Sequence, residues 1–112
     1  MRRPQAHGER YAVVFTSEAQ AQLTELYLWI ATDASPEIAA RYTGAVIVRC
    51  EALSTFPERG TARDDIRPGL RITSYRKRTV IAFTVDADRV AITGVFHSGQ
   101  DYEAVLEPED MD

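Results

Sequence analysis

Two helical patterns joined by only two residues constrain the fold more than any other feature of the sequence. Apolar residues recur at helical spacing over residues 17–32 and again over residues 36–56. Ser35 is a favourable N-cap for the second helix, and Pro36 fits its first turn, where a missing N–H costs nothing. Because only residues 33–34 link the two helices, we expect them to pack side by side as an antiparallel hairpin.

The first helix presents one apolar stripe, which we expect to pack against strands. Ser17 followed by Gln20 has the spacing of a capping box, so Ser17 is predicted to cap this helix. Trp29 lies off the stripe and either packs on a second face or anchors a partner, because tryptophan is enriched at interface hot spots. The stripe consists of Ala19, Leu23, Leu26, Tyr27 and Ile30. Its members Leu23, Leu26 and Ile30 are predicted to pack against Phe15, Ile81, Phe83 and Ile92.

Strand patterns lie before and after the helix hairpin in the sequence. Residues 11–16 alternate large apolar side chains, residues 70–75 form a second candidate strand, and residues 79–85 are rich in β-branched residues. The short turn at residues 86–88 predicts that residues 90–97 pair back as a β-hairpin. The order β-α-α-β-β-β therefore predicts a two-layer α+β domain, in which an antiparallel sheet carries the helix hairpin on one face.

The length of 112 residues suits a single domain, because each half would be too small to bury an adequate core. We expect residues 1–10 to form a flexible leader, residues 11–106 to fold with a short helix at 101–106, and residues 107–112 to be an acidic tail. No apolar run is long enough to span a membrane, and no secretion signal is present. Together with a single cysteine, Cys50, these features predict a cytoplasmic protein.

Positive charge is concentrated in one stretch of an acidic chain. The net charge is -4, yet residues 59–78 contain seven of the 13 basic residues and only two acidic ones. Much of this stretch lies in a predicted loop at residues 58–69. The overall negative charge disfavours nucleic-acid binding, whereas a local anionic partner fits the positive stretch. Its basic residues are Arg59, Arg63, Arg67, Arg71, Arg76, Lys77 and Arg78.

The sequence contains few side chains that could transfer protons. A metal-free ribonuclease needs a general base, a general acid and cations that stabilise the phosphate. Arginines cannot serve as the base because they stay protonated. His97, at the end of the last predicted strand, is the main acid–base candidate, although it could instead close the corner after that strand with a backbone hydrogen bond. Two distant histidines and one cysteine do not make a zinc site, so we expect no metal and no cofactor.

Four short segments, in this order and at this spacing, resemble the ParE branch of the RelE/ParE toxin superfamily. They are residues 15–19 (FTSEA), residues 56–58 with Gly60, residues 65–71 (DIRPGLR) and residues 95–101 (VFHSGQD). The resemblance extends from about residue 11 to residue 106. It implies a small cytoplasmic bacterial toxin that a ParD-like antitoxin from the same operon holds inactive in a heteromeric assembly.

The resemblance leaves the mechanism of toxicity open. ParE members are described as poisons of DNA gyrase, whereas RelE members cut mRNA on the ribosome. The scarcity of acid–base groups favours a gyrase inhibitor that acts by binding and is not an enzyme. If the protein is instead an endoribonuclease, the residues that fit the RelE pattern are His97, Arg71, Arg78 and Tyr102. A third alternative is an inactive homologue that only binds its antitoxin and regulates the operon.

The positive stretch is the expected docking surface for the acidic C-terminal segment of the antitoxin, or for the target. Alternation from residue 70 places Arg71 and Tyr75 on one face of the predicted strand, and we expect this face to meet a partner. Arginine suits this role because its planar fork pairs with carboxylates. The alternative is a solvated loop in which neighbouring aspartates pair locally. The expected binding residues are Arg63, Arg67, Arg71, Tyr75, Arg76, Arg78 and Trp29.

Overall fold

The structure, a computed structural model, describes residues 11–97, and the predicted leader, terminal helix and acidic tail lie outside these residues. The described part of the chain contains two helices and five strands. The helices are α1 (Ser17–Asp33) and α2 (Pro36–Glu51), with a 3-10 turn at Ala52–Ser54, and the strands are β1 (Ala12–Phe15), β2 (Thr61–Ala62), β3 (Leu70–Tyr75), β4 (Thr79–Val85) and β5 (Arg89–Phe96). This order confirms the predicted α+β class and the helix hairpin.

The five strands form one sheet in the order β1-β5-β4-β3-β2. The strands β3, β4 and β5 pair antiparallel in succession, as predicted. In contrast, β1 pairs parallel to β5, so the sheet is mixed rather than purely antiparallel. Side-chain alternation could not distinguish these two directions, because both kinds of pairing have the same period of two residues. The two-residue strand β2 lies within the predicted loop and is too short to leave a pattern.

Side-chain caps set the start of each helix. As predicted, α2 begins after Ser35, whose Oγ accepts a hydrogen bond from the backbone N–H of Ile38 at 3.1 Å. The cap of α1 is Thr16 instead of the predicted Ser17, and its Oγ1 accepts from the N–H of Ala19 at 3.1 Å. Because serine and threonine are both good caps, the extended backbone at Thr16 decides between the two residues.

The helix hairpin packs on one face of the sheet and buries the main core there. Leu26 of α1 is 2% exposed, and Leu23, Ile30 and Phe15 pack against this core while partly buried, which confirms the predicted contact of the helix stripe with the strands. The buried members of the core are Ala19, Leu26, Val46, Cys50, Leu53, Ile81, Phe83, Val90, Ile92 and Val95. A smaller cluster of Ile66, Leu70, Ala82 and Phe96 lies apart from it.

The buried thiol of Cys50 should be unreactive in the folded protein. Burial raises the pKa of this thiol from its ordinary value of 9.0 to about 12. We therefore expect no reaction with a disulfide reagent at pH 8, and full reaction in denaturant, because the attacking species is the exposed thiolate. Rapid labelling of the folded protein would contradict the buried position.

The same shift predicts how stability changes at high pH. Between pH 9 and about 12 the folded thiol keeps its proton, whereas the unfolded chain has released it. The free energy of unfolding should therefore fall as the pH rises through this range. The control is Cys50→Ala, in which this part of the alkaline decrease should be missing.

Candidate functional site

The structure distributes the basic stretch over both ends of β3. Arg63 lies in the loop before this strand, and Arg76 and Arg78 lie in the turn after it. With six residues in β3, the two ends are roughly 17 Å apart. The cations that are close in sequence therefore form two separate groups, and each group has its own local environment.

In the loop before β3, one of the positive charges is paired with a neighbouring carboxylate. Arg63 donates two hydrogen bonds to the carboxylate of Asp65, from Nε to Oδ1 and from Nη2 to Oδ2, each at 2.9 Å. The Arg63 guanidinium holds the pKa of the Asp65 carboxyl below its usual value. The carboxylate of Asp64 accepts a hydrogen bond from the N–H of Gly69 at 2.8 Å. Arg63 thus pairs with a neighbouring aspartate, as the alternative of a solvated loop predicts.

Arg71 contacts backbone carbonyl groups of its own chain. Its guanidinium donates to the carbonyl oxygens of Arg59 at 3.4 Å and Gly60 at 3.3 Å, and also to that of Glu58. These bonds attach the loop before β2 to the strand β3. Arg71 therefore already has an intramolecular role, which the sequence pattern did not reveal.

Helix α2 covers the face of β3 that we expected to meet a partner. Thr73, which follows Arg71 on this face, is buried and accepts a hydrogen bond from Arg49 of α2 at 3.2 Å. Tyr75 packs edge-on against Tyr42 of α2, with 5.2 Å between the ring centroids. The expectation that this face meets a partner is therefore wrong for Thr73 and Tyr75, because α2 supplies polar and aromatic partners for them.

The turn after β3 has a strained backbone and carries three consecutive cations. Arg76 and Lys77 have φ angles of 56° and 59°, and the N–H of Arg78 donates to the carbonyl of Tyr75 at 3.1 Å. Two-residue hairpin turns with this backbone favour Asn-Gly, and an L-residue in a left-handed conformation costs about 1–2 kcal/mol. The guanidinium of Arg76 lies 5.4 Å from the centre of the Tyr75 ring, and its Nε donates to the phenol oxygen at 3.1 Å.

A cavity of about 210 Å³ lies next to this turn, between the helix hairpin and the sheet. Two of its lining residues, Trp29 of α1 and His97, have stacked rings, with 4.7 Å between the ring centroids and 14° between the ring planes. Trp29 is 49% exposed and Ile38 is 45% exposed. The lining residues are Leu26, Trp29, Ile30, Asp33, Ile38, Tyr42, Arg78 and His97.

Three of the residues singled out from the sequence meet at this cavity, namely Trp29, Arg78 and His97. Sequence reasoning did not identify Asp33 or Ile38 as neighbours of this site, because their proximity to Arg78 arises only when α1 and α2 pack on the sheet. The remaining ribonuclease candidate, Tyr102, lies outside the described residues. Within residues 11–97, no group of His, Cys, Asp or Glu side chains could hold a metal ion. No helix in that part of the chain is long and apolar enough to cross a membrane.

Comparison with known proteins identifies the family. Among solved structures, a chain of the chromosomal ParDE toxin–antitoxin system from P. aeruginosa is similar in fold, with a TM-score of 0.71 and 19% identity over 83% of this chain and 99% of that chain. A chain of the toxin–antitoxin complex RelBE2 from Mycobacterium tuberculosis has a TM-score of 0.57 and 24% identity over 82% of this chain and 95% of that chain. No curated protein shows significant sequence similarity. The family model for the ParE toxin of the type II toxin–antitoxin system parDE matches residues 13–102, and this chain therefore belongs to the ParE toxin family.

Proposed function

We propose that this toxin inhibits growth by binding and poisoning DNA gyrase, and that a ParD-like antitoxin with an acidic C-terminal segment neutralises it. The family match supports this target, as does the separation of Arg71 from the two other described ribonuclease candidates, Arg78 and His97. Both gyrase and the antitoxin would be met in the cytoplasm, which we propose as the location of the protein.

Arg71 lies apart from the other residues that RNA cleavage would need. His97 and Arg78 line the cavity beside the turn, whereas Arg71 lines a different cavity, at the other end of β3. Three carboxylates line that second cavity together with Arg71, and they would repel a phosphate. They belong to Glu58, Asp64 and Asp86. Arg71 therefore does not converge with Arg78 and His97 on one phosphate position, which leaves Arg78 as the only cation of the three candidates beside His97 among the described residues.

The experiment that tests this proposal compares the two targets directly. Purified toxin should inhibit DNA supercoiling by gyrase or increase gyrase–DNA cleavage complexes, and it should leave ribosome-bound mRNA intact. Adding the antitoxin encoded in the same operon should restore supercoiling, which controls for an inhibitory contaminant.

Two results would contradict the proposal. Codon-positioned cuts in mRNA that disappear in His97→Ala would identify the protein as a ribosome-dependent endoribonuclease. A toxin that leaves both gyrase and mRNA unaffected, yet binds the antitoxin tightly, would instead be an inactive homologue that acts in operon regulation.

A further inference from the structure

We propose that the tip of the turn after β3 contacts a cluster of carboxylates on gyrase when the toxin binds its target. The tip consists of Arg76 and Lys77, the two residues of this turn with positive φ angles. This inference rests on the proposed function, because it names the part of the toxin that meets gyrase and the chemistry that it meets there.

The backbone of the tip has a conformation that its residues do not favour. Both φ angles are positive, although neither Arg76 nor Lys77 is a glycine or an asparagine, the residues that suit this backbone. Such strain persists only where the surrounding structure holds it, and strained residues cluster at functional sites. Here both strained positions carry a positive charge, so the strain fixes where two cations leave the backbone.

Helix α2 supplies the contacts that hold the turn. The phenol group of Tyr42 forms a hydrogen bond of 2.8 Å with the hydroxyl of Thr79, the residue that follows the turn. The ring of Tyr42 packs edge-on against Tyr75, the residue that precedes the turn. Tyr75 and Thr79 pair with each other across the two strands, and Thr79 is 1% exposed. Both ends of the turn are therefore attached to one residue of α2, so the strained conformation is present before any partner binds.

The same contacts order one of the two cations. The guanidinium of Arg76 lies against the ring of Tyr75 and donates from Nε to its phenol oxygen. Because Tyr75 also contacts Tyr42, the ordered packing of α2 extends to the tip. A side chain that is ordered in advance loses less entropy when it binds a carboxylate.

The charges of the tip are available to a partner. Arg76 and Lys77 are exposed, and within residues 11–97 neither of them forms a salt bridge. Other cations of the basic stretch are already engaged, because Arg63 pairs with a carboxylate and Arg71 binds backbone carbonyl groups. The tip is thus a small, preformed positive group.

The tip differs in character from the cavity beside it. Arg78, the third cation of the turn, lines that cavity, whereas neither residue of the tip does. Among the described residues, no exposed large apolar side chain belongs to the turn. A partner at the tip therefore finds charge without an apolar anchor, which suits an additional contact in a larger interface.

The target is the partner that this arrangement favours. Proteins break the rules of local preference chiefly at functional sites, and a toxin that acts by binding has its function in the contact with its target. The planar fork of arginine pairs well with carboxylates. DNA fits the tip less well, because two cations are few for a polyanion and the chain has a net charge of -4.

Two double variants separate the charge of the tip from its strain. Arg76→Asn with Lys77→Gly removes both charges and relieves the strain, whereas Arg76→Gln with Lys77→Gln removes the charges and keeps residues that disfavour this backbone. The matched control, Arg59→Gln with Arg89→Gln, removes two exposed charges elsewhere. Four quantities are measured for each variant: the toxin concentration that halves gyrase supercoiling, the rate of association with DNA-free gyrase, the affinity for the antitoxin, and the Tm.

We expect both tip variants to need about tenfold more toxin for the same inhibition and to associate more slowly with DNA-free gyrase at low salt. Their association rate should also depend less on salt. The Asn-Gly variant should have a Tm higher by roughly 5 °C, which excludes unfolding as the cause of the loss, and the glutamine variant should keep its Tm. The control should inhibit gyrase like the unmodified toxin, and any change in antitoxin affinity should be equal in the tip variants and the control.

Four results would overturn the assignment. The first is unchanged inhibition by the glutamine variant, and the second is an equal loss of inhibition in the control. The third is a loss of antitoxin affinity that is larger in the tip variants than in the control while inhibition stays unchanged, which would place the tip in the antitoxin interface. The fourth is a loss of gyrase binding that occurs only when DNA is present, which would mean that the tip contacts phosphates.

Failure of the proposed function gives a different result. If the unmodified toxin neither binds gyrase nor inhibits it, the proposed target is wrong, and the inference about the tip is wrong with it. If the unmodified toxin inhibits gyrase and the glutamine variant does so equally well, only the assignment of the tip is wrong. The unmodified toxin thus tests the target, and the variants test the tip.

Discussion

Replacing Leu26 by alanine should lower the free energy of unfolding by about 2–5 kcal/mol, the usual range for a buried large-to-small change. Leu26 is 2% exposed and lies where α1 packs on the sheet, in the same core as Phe83 and Ile92. The substitution removes apolar contacts and leaves a cavity that the surrounding strands can only partly fill. Urea denaturation of the toxin, followed by circular dichroism, measures the loss.

The matched control for this substitution is Leu28→Ala, on the same helix. Leu28 is 57% exposed, so its truncation removes little buried area and should change stability by no more than about 0.5 kcal/mol. If the two variants lost stability equally, or if Leu26→Ala cost less than about 0.5 kcal/mol, the assignment of the buried face of α1 would be wrong.

Replacing Gly60 by alanine should destabilise the protein by about 2–4 kcal/mol, because two separate costs add. The φ angle of Gly60 is 89°, which a residue with a Cβ atom adopts only with strain. A Cβ atom at this position would also lie 2.4 Å from the carbonyl oxygen of Ile72 in β3. Because this contact is with backbone, relief requires movement of β2 or β3, and the bonds from Arg71 to the same loop would be disturbed.

Gly69 separates these two costs. Its φ angle of 82° is similar, but a Cβ atom there would meet no atom within 4 Å. Gly69→Ala should therefore show only the conformational cost, about 1–2 kcal/mol. The difference between the two variants in urea denaturation measures the clash with Ile72, and equal losses would mean that the loop adapts without cost.

Features with a local physical cause were predictable from the sequence. The cap at Ser35 and the two-residue link define the helix hairpin through hydrogen bonds and distances within a few residues. The meander of β3, β4 and β5 follows from β-branched runs separated by short turns. The stripe of α1 correctly placed Leu26 in the core, because helical periodicity selects one face of a helix.

Features that depend on distant residues were not predictable in this way. The parallel pairing of β1 with β5 joins residues 77 positions apart, such as Ala12 and Arg89, and alternation contains no information about direction. Alternation also could not show that α2 covers one face of β3, because Arg49 and Tyr42, which contact Thr73 and Tyr75, lie on another element.

The sequence by itself determined the helices, the order of most strands, the apolar stripe of the core and the local excess of positive charge, because each depends on residues close together in the chain. Only the tertiary structure decided how that charge is used. In the folded protein Arg63 pairs with Asp65, and Arg71 binds a backbone carbonyl group of the loop before β2. The packing of the helices on the sheet brings Arg78, Trp29 and His97 together beside one cavity. Such neighbours are selected by the packing of helices on a sheet, and the spacing of residues along the chain does not encode that packing directly.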